Sequence, residues 1–246
     1  MKNIYENILL KKSHKQKQFA ILIDPDKPGE KELEQIAKAG QDCKADYFFV
    51  GGSLLTNNRL DACIQIIKKN ADIPLVLFPG SLLQISHYAD ATLFLSLISG
   101  RNAEMLIGKH VIAAPILKSS GLEVIPTGYM LIESGKPTTV SYMSNTTPIP
   151  ADKNDIAVCT ALAGEMLGLK LIFMDAGSGA MNPVSTSMIE AVSKQINVPL
   201  IIGGGISTPE KAAADCKAGA DLIVVGNAIE KDASLIKEIA KAIHSS

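Results

Sequence analysis

Eight short, almost uninterrupted apolar runs punctuate the chain, the apolar part of each giving way to Gly, Pro, Ser, Asp or Glu and then to a longer stretch of mixed polarity. They are FAILID, DYFFVGG, PLVLFPGS, TLFLSLIS, TGYMLIE, KLIFMDAGSG, PLIIGGGI and DLIVVGN. Runs that are apolar at nearly every position fit parallel strands covered on both faces, whereas a sheet wetted on one side would alternate. The starts, near residues 19, 46, 74, 92, 127, 170, 199 and 221, leave room in most intervals for a strand, a helix and two loops. Crossovers of one hand repeated eight times close on themselves, so the pattern predicts an α/β fold of the (β/α)8, or TIM-barrel, class. An open flavodoxin-like sheet would leave about three runs unexplained.

Two intervals depart from the rest. Only 18 residues separate the third and fourth starts, and the intervening SLLQISHYAD holds at most a two-turn helix. The third helix of the outer ring is therefore expected to be short or missing, leaving a gap in the wall. The 43-residue interval after the fifth start contains ESGKPTTVSYMSNTTPIPADKND, rich in Ser, Thr, Pro and Asn. A loop of that length reads as a lid or an interface. Tyr142 within it is either an exposed anchor for a partner subunit or a packed lid residue. The basic N-terminal stretch MKNIYENILLKKSHKQKQ reads as a short helix.

Composition narrows the class further. The chain has 246 residues, one barrel's length, and no Pro/Gly/Ser linker divides it, so residues 1–246 are expected to form a single domain. With 24 Lys and Arg against 25 Asp and Glu, it offers no broad basic field for a nucleic acid or an anionic membrane. Cys43, Cys63, Cys159 and Cys216 form no CxxC pair, so they are expected to be reduced packing residues of a cytoplasmic protein. No apolar run approaches the roughly 20 residues of a membrane span, so contact with lipid is expected to be weak and peripheral.

Barrel enzymes work at the C-terminal ends of their strands. Here those ends carry Asp24 to Lys27, Gly51 to Ser53, Pro79 to Ser81, Ser96 to Ser99, Glu133-Ser134, Asp175 to Gly179, Gly203 to Gly205, and Gly226-Asn227. Glycine lets backbone N–H groups approach an anion closely, so GGGI and VGNAI in the last two units predict a phosphate grip. Gly177, Ser178 and Gly179 add donors from the sixth. At the first and second strand ends, Asp24 and Ser53 are hard oxygen ligands of the kind that suits Mg²⁺, with vacancies left for water and substrate. The competing reading is that Asp24 and Asp26 cap a turn. Asp175 and Glu133 are candidate catalytic carboxylates that orient or deprotonate a substrate hydroxyl, or else bond structurally to loop amides. His14, His87, His110 and His244 lie away from the strand ends and are assigned no catalytic role.

Taken together, LIDPDK, FFVGGSLL, LFPGS, FLSLISGRN, PTGYMLIESGK, FMDAGSGA, PLIIGGGI and VVGNAI, in that order, resemble the geranylgeranylglyceryl phosphate synthase family. That family includes the bacterial heptaprenylglyceryl phosphate synthases known as PcrB, and ISGRN with PTGYMLIESG resembles its second sequence group. The likeness runs over about residues 18 to 240. It implies a prenyltransferase that joins geranylgeranyl or another long prenyl diphosphate to sn-glycerol 1-phosphate with Mg²⁺, releasing diphosphate. It also implies that Asp24 and Ser53 bind the metal. Phe173, Met174, Asp175, Ala176, Gly177, Ser178 and Gly179, with Gly203, Gly204, Gly205, Gly226 and Asn227, would hold glycerol 1-phosphate, and a homodimer or homohexamer is expected.

Two departures from the family pattern stand out. Phe173-Met174-Asp175 replaces the commoner Tyr-Leu-Glu, removing a phenol and shortening the carboxylate arm. Leu22 stands where the first bacterial group carries a Lys. The prenyl tail is expected in the wall gap near Leu82, Leu83, Leu93 and Leu95. Two other classes compete: a phosphosugar isomerase or aldolase barrel, and a non-catalytic barrel that binds a phosphorylated lipid or metabolite. An aldolase would want a Schiff-base Lys inside a strand, and no apolar run has one in its interior.

Overall fold

A computed structural model describes residues 3–246. Eight strands follow one another around a closed barrel: β1 Gln18–Ile23, β2 Tyr47–Val50, β3 Leu75–Leu77, β4 Ala91–Leu97, β5 Glu123–Leu131, β6 Leu171–Asp175, β7 Leu200–Gly203 and β8 Leu222–Val225. Every neighbouring pair is parallel, and β8 closes on β1 through Gln18↔Leu222 to Ile21↔Val225. The TIM barrel read from the apolar runs is the observed fold. β5 starts at Glu123, earlier than the apolar run indicates, because Pro126 is accommodated within the strand and its carbonyl accepts from Lys170 N.

Strand periodicity sorts the side chains into two layers. On β6, Leu171 and Phe173 belong to an inner cluster, whereas Ile172, Met174 and Ala176 belong to the outer one under the helices. On β8 Leu222 and Val224 face in while Ile223 and Val225 face out. Helix α1 (Ile4–Ser13) sends Ile4 and Ile8 into the inner cluster and so plugs the barrel floor. Glu123 holds its first turn, accepting from Ile4 N at 2.6 Å and Tyr5 N at 2.9 Å. Higher in the barrel, Phe78 stacks on Phe173 at 5.1 Å and Tyr129 meets Phe173 edge-on at 5.6 Å, forming an apolar layer directly below the strand ends.

Outside lie α2 (Glu30–Asp42), α3 (Leu60–Asn70), α4 (Lys109–Ser120, entered through a π-helical turn at Glu104–Gly108), α5 (Thr139–Ser144) and α6 (Asn154–Met166). They are followed by α7 (Thr186–Ser193), α8 (Pro209–Ala218), the short α9 (Asn227–Lys231) and α10 (Leu235–His244). No helix separates β3 from β4, as the 18-residue interval predicts; the segment between them is irregular. Gln84, buried within it, accepts from Gly52 N and Gly80 N, both at 3.2 Å, and donates to Gly52 O at 2.7 Å. One side chain thus ties the β2 and β3 loops together where a helix would otherwise pack. The long loop after β5 folds into α5 with a Thr138–Ser141 capping box, which fixes a short helix over the top of the barrel. No helix among the described residues is long and apolar enough to cross a membrane.

Candidate active site

A cavity of about 710 Å³ opens at the C-terminal ends of the strands and extends down the outside of β4. Asp24, Ser53, Phe173, Asp175, Gly177, Ser178, Gly179, Gly203, Gly204, Gly205, Gly226 and Asn227 all line it, so most of the predicted residues converge. Periodicity explains the convergence. Asp24 follows inward-facing Leu22 by two residues and Asp175 follows inward-facing Phe173 by two.

The same rule overturns two assignments. Met174 and Ala176 point into the outer layer and do not line the cavity, and the Ala176 amide is already committed to Gly203 O at 3.2 Å. A third correction concerns Glu133. β5 ends before it, Ile132 bridges to Ile149, and this pairing carries Glu133 to the surface, where its carboxylate accepts from Ala151 N at 3.4 Å. Glu133 is not part of the site. Of the four candidate tail contacts, Leu82, Leu93 and Leu95 line the cavity, but Leu83 is 91% exposed and does not.

Asp175 is buried, and its two oxygens are differently bound. Oδ1 accepts from Gly177 N at 2.7 Å and Oδ2 from the Tyr129 hydroxyl at 2.7 Å. Burial pushes its carboxyl above the usual range, opposed by those two hydrogen bonds. Burial and the nearby carboxylate push the Tyr129 phenol well up, so it stays a donor. Tyr129 was missed in the sequence because it lies inside a strand, but Tyr129 and Phe173 are register partners on β5 and β6. A phenol is thus presented to the carboxylate from the adjoining strand.

Gly204, at φ +78°, makes the crowding at Asp175 possible, since a Cβ there would stand 2.4 Å from Asp175 Oδ1 and 2.6 Å from Gly177 N. Around it, the amides of Ser178, Gly179, Gly204 and Gly205 have no protein acceptor among the described residues. Unused amides in glycine turns form an anion-binding concavity without a cationic side chain. Ser178 Oγ donates to Asn227 Oδ1 at 3.2 Å, linking the β6 and β8 loops around that concavity.

At the opposite rim, Asp24 Oδ1 accepts from Asp26 N at 3.1 Å, leaving Oδ2 turned to the cavity mouth. Asp26 does structural work instead: its Oδ2 accepts from Thr56 N, Thr56 Oγ1 and Asn57 N, pinning the β1 loop to the β2 loop, and these bonds hold its carboxyl below the usual range against the opposing effect of burial. The β2 loop sits close by, with a Cβ built on Gly52 falling 3.5 Å from Asp24 Oδ2. Lys27, at the first strand end but given no role in the sequence reading, and Glu230 complete this rim; Glu230 was not singled out because it belongs to α9 and only the closure of β8 on β1 brings it near. Among the described residues, no group of three or more His, Cys, Asp or Glu side chains could hold a metal, so any ion here takes most of its ligands from water and substrate.

The remainder of the cavity is apolar. Ile85, Phe94, His110, Ala113 and Leu117 line its branch beside β4, in the space left by the missing helix. His110, on α4 away from the strand ends as expected, sits on this wall, edge-on to Phe94 at 4.5 Å, with its Nδ1 buried and unpartnered. Burial holds its imidazole below the usual range, which keeps it neutral and compatible with an apolar occupant. Thr139, Val140 and Met143 of α5 roof the site.

Residues 11–243 match the PcrB family. The chain is 60% identical over 242 residues to a geranylgeranylglyceryl phosphate synthase of Chitinophaga pinensis, spanning 98% of this chain and 96% of that one. It is 55% identical to the protein of the same name from Spirosoma linguale, over 92% of this chain and 91% of the other. In three dimensions it superposes on (S)-3-O-geranylgeranylglyceryl phosphate synthase from Thermoplasma acidophilum, solved in complex with sn-glycerol-1-phosphate, with a TM-score of 0.94, 34% identity and full coverage of both chains. The family match, the sequence identity and the superposition each run over nearly the whole length, and the chain belongs to the PcrB family.

Proposed function

We propose that the protein is a prenyltransferase that moves a geranylgeranyl or similarly long prenyl group from its diphosphate to a hydroxyl of sn-glycerol 1-phosphate, making the ether-lipid precursor and diphosphate. The observation that carries this reading is the position of Asp175, a buried carboxylate between free loop amides and an apolar branch of the cavity. Those loops suit the phosphate, and the carboxylate suits the glycerol hydroxyl.

Free amides of the β6 and β7 loops grip the phosphate and so fix where the glycerol hydroxyls fall. Asp175 accepts a hydrogen bond from the attacking hydroxyl and takes its proton as the C–O bond forms at the prenyl C1, while the C–O bond to diphosphate breaks. Its raised proton affinity suits that task. Phe173, Phe78 and the α5 roof keep water from the developing allylic cation.

Asp24 fits a divalent cation: one carboxylate oxygen is free of backbone bonds, Ser53 lies on the same rim, and the ammonium of Lys27 already stands 3.4 Å from Asp24 Oδ2 as a cationic stand-in. With Mg²⁺ bound, Asp24 and Ser53 would hold it where it would offset the charge of the departing diphosphate. The Ile85–Phe94–Leu117 branch receives the tail.

A cytoplasmic homo-oligomer, dimer or hexamer, with only weak contact with lipid, completes the reading. Its support is the apolar outer face of the α4 region, where Ile107, Val111, Ile112 and Ile116 are exposed, together with Tyr142 at 85% exposure.

Incubation with radiolabelled sn-glycerol 1-phosphate, geranylgeranyl diphosphate and Mg²⁺ tests the reaction. Label should pass to an organic-extractable product, and its absence would reject the transferase reading. Loss of product with EDTA, restored by added Mg²⁺, is expected if the metal is required.

A further inference from the structure

The cationic stand-in at Asp24 is itself held by another group. Lys27 Nζ lies 2.9 Å from Glu230 Oε2, nearer than its 3.4 Å to Asp24 Oδ2, and 3.4 Å from Asn227 Oδ1. The other oxygen of Glu230 accepts from Asp24 N at 3.4 Å, so the β1 loop is clasped to α9 from both sides. Both carboxylates thus lie within ion-pairing distance of the ammonium. Asp24, Glu230 and Lys27 therefore sum to one negative charge at the mouth. Neutralising Lys27 makes it two, and neutralising Glu230 makes it zero.

We propose that Lys27 is the resident counter-cation of the metal site and that Glu230 is its tether, holding the ammonium off Asp24 so that the Asp24 carboxylate stays open to a divalent cation. The pair sets the metal affinity of the free protein and acts through Asp24, as positioning residues. This rests on the metal reading above. When no metal is bound, Lys27 screens the carboxylate; when metal arrives, the ammonium retreats to Glu230 and Asn227. The Asn227 contact joins the retreat to the phosphate grip, because Asn227 Oδ1 also accepts from Ser178 Oγ at 3.2 Å.

The test is Mn²⁺ binding to the metal-free whole protein, followed by EPR titration with no prenyl diphosphate present. Lys27→Met should tighten binding about three- to tenfold, since one unit charge a few ångströms from a divalent ion in a solvated rim is worth about that factor. Lys27→Arg, which keeps the charge, should stay close to wild type. Glu230→Gln should weaken binding about tenfold, because the ammonium then closes on Asp24. The double variant Lys27→Met/Glu230→Gln, which restores the wild-type net charge at the mouth, separates a tether from a direct ligand: it should return to about wild-type affinity, whereas a lost direct ligand would leave it as weak as Glu230→Gln. A double variant as weak as Glu230→Gln, or a Lys27→Met protein that binds no tighter, overturns the proposal while the metal assignment stands. Wild-type protein that binds no Mn²⁺ likewise overturns the proposal, and Asp24→Ala protein that binds it unchanged overturns both. Thermal unfolding of each variant shows that the fold is intact.

Discussion

The Tyr129 hydroxyl donates a 2.7 Å hydrogen bond to Asp175 Oδ2 across the β5–β6 pair, inside the barrel and away from water. A hydrogen bond to a buried charged group is worth about 1.5–3 kcal/mol, and here it stabilises the ionised carboxylate. Tyr129→Phe should therefore lower kcat/KM at neutral pH by about ten- to a hundredfold and move the acid limb of its pH profile to higher pH. An unmoved acid limb would show that Tyr129 only fills space.

Asp175→Asn separates catalysis from stability. Because burial raises the carboxyl's pKa, its contribution to stability is full below the ordinary carboxylate pKa and is lost as pH rises through the raised one. The amide can still accept from Gly177 N and donate to the tyrosine oxygen. Product formation should fall at least about a hundredfold, the usual loss of a general base, while the melting temperature at pH 7 to 8 stays level or rises. A fall in melting temperature would contradict this account.

A second buried carboxylate should contribute to the pH dependence of folding. Asp215 on α8 is fully buried, with Oδ2 unpartnered and Oδ1 bonded to Lys211, and burial pushes its carboxyl up to about 6 against the opposing pull of Lys211. The folded state thus binds its proton more tightly than the unfolded chain, so stability declines as pH rises from about 4 to about 6, by roughly 3 kcal/mol. Denaturant midpoints measured across that range should show the decline in the wild type and flatten in Asp215→Asn.

The apolar branch predicts chain-length selectivity. Phe94 and His110 meet edge-on on its wall beside β4. Phe94→Ala and His110→Ala should shift the preferred prenyl diphosphate toward longer chains, read as the ratio of kcat/KM for two donors differing in length. Unchanged ratios in both variants would place the tail elsewhere.

Gly204→Ala tests how closely the β6 and β7 loops must approach. A methyl group 2.4 Å from Asp175 Oδ1, on a residue at φ +78°, forces the two loops apart. Loss of about 2 kcal/mol of stability and of measurable sn-glycerol 1-phosphate binding by calorimetry is expected. Gly121→Ala, at φ +76° but with open space around it, should lose stability without losing binding.

What the sequence by itself determined is whatever repeats or is local. Eight apolar runs specified eight parallel strands, because a strand covered on both faces must be apolar throughout, and the short third interval had no room for a helix. Glycine clusters after the last strands marked where the loops approach one another closely, since a Cβ at Gly204 would stand 2.4 Å from Asp175 Oδ1. Period-two alternation, carried through FMDAG, already turns Met174 and Ala176 outward while Phe173 and Asp175 face in. Tertiary structure alone decided the pairings between strands distant in sequence. Tyr129 reaches Asp175 because β5 and β6 pair in a register set by the whole barrel, and Glu230 reaches Lys27 because β8 closes on β1. Glu133 left the site for the same kind of reason, as its fate depended on a bridge between Ile132 and Ile149. Local composition fixes which faces are buried, but which polar groups meet at the rim depends on register and closure, and these are settled by packing of the entire barrel.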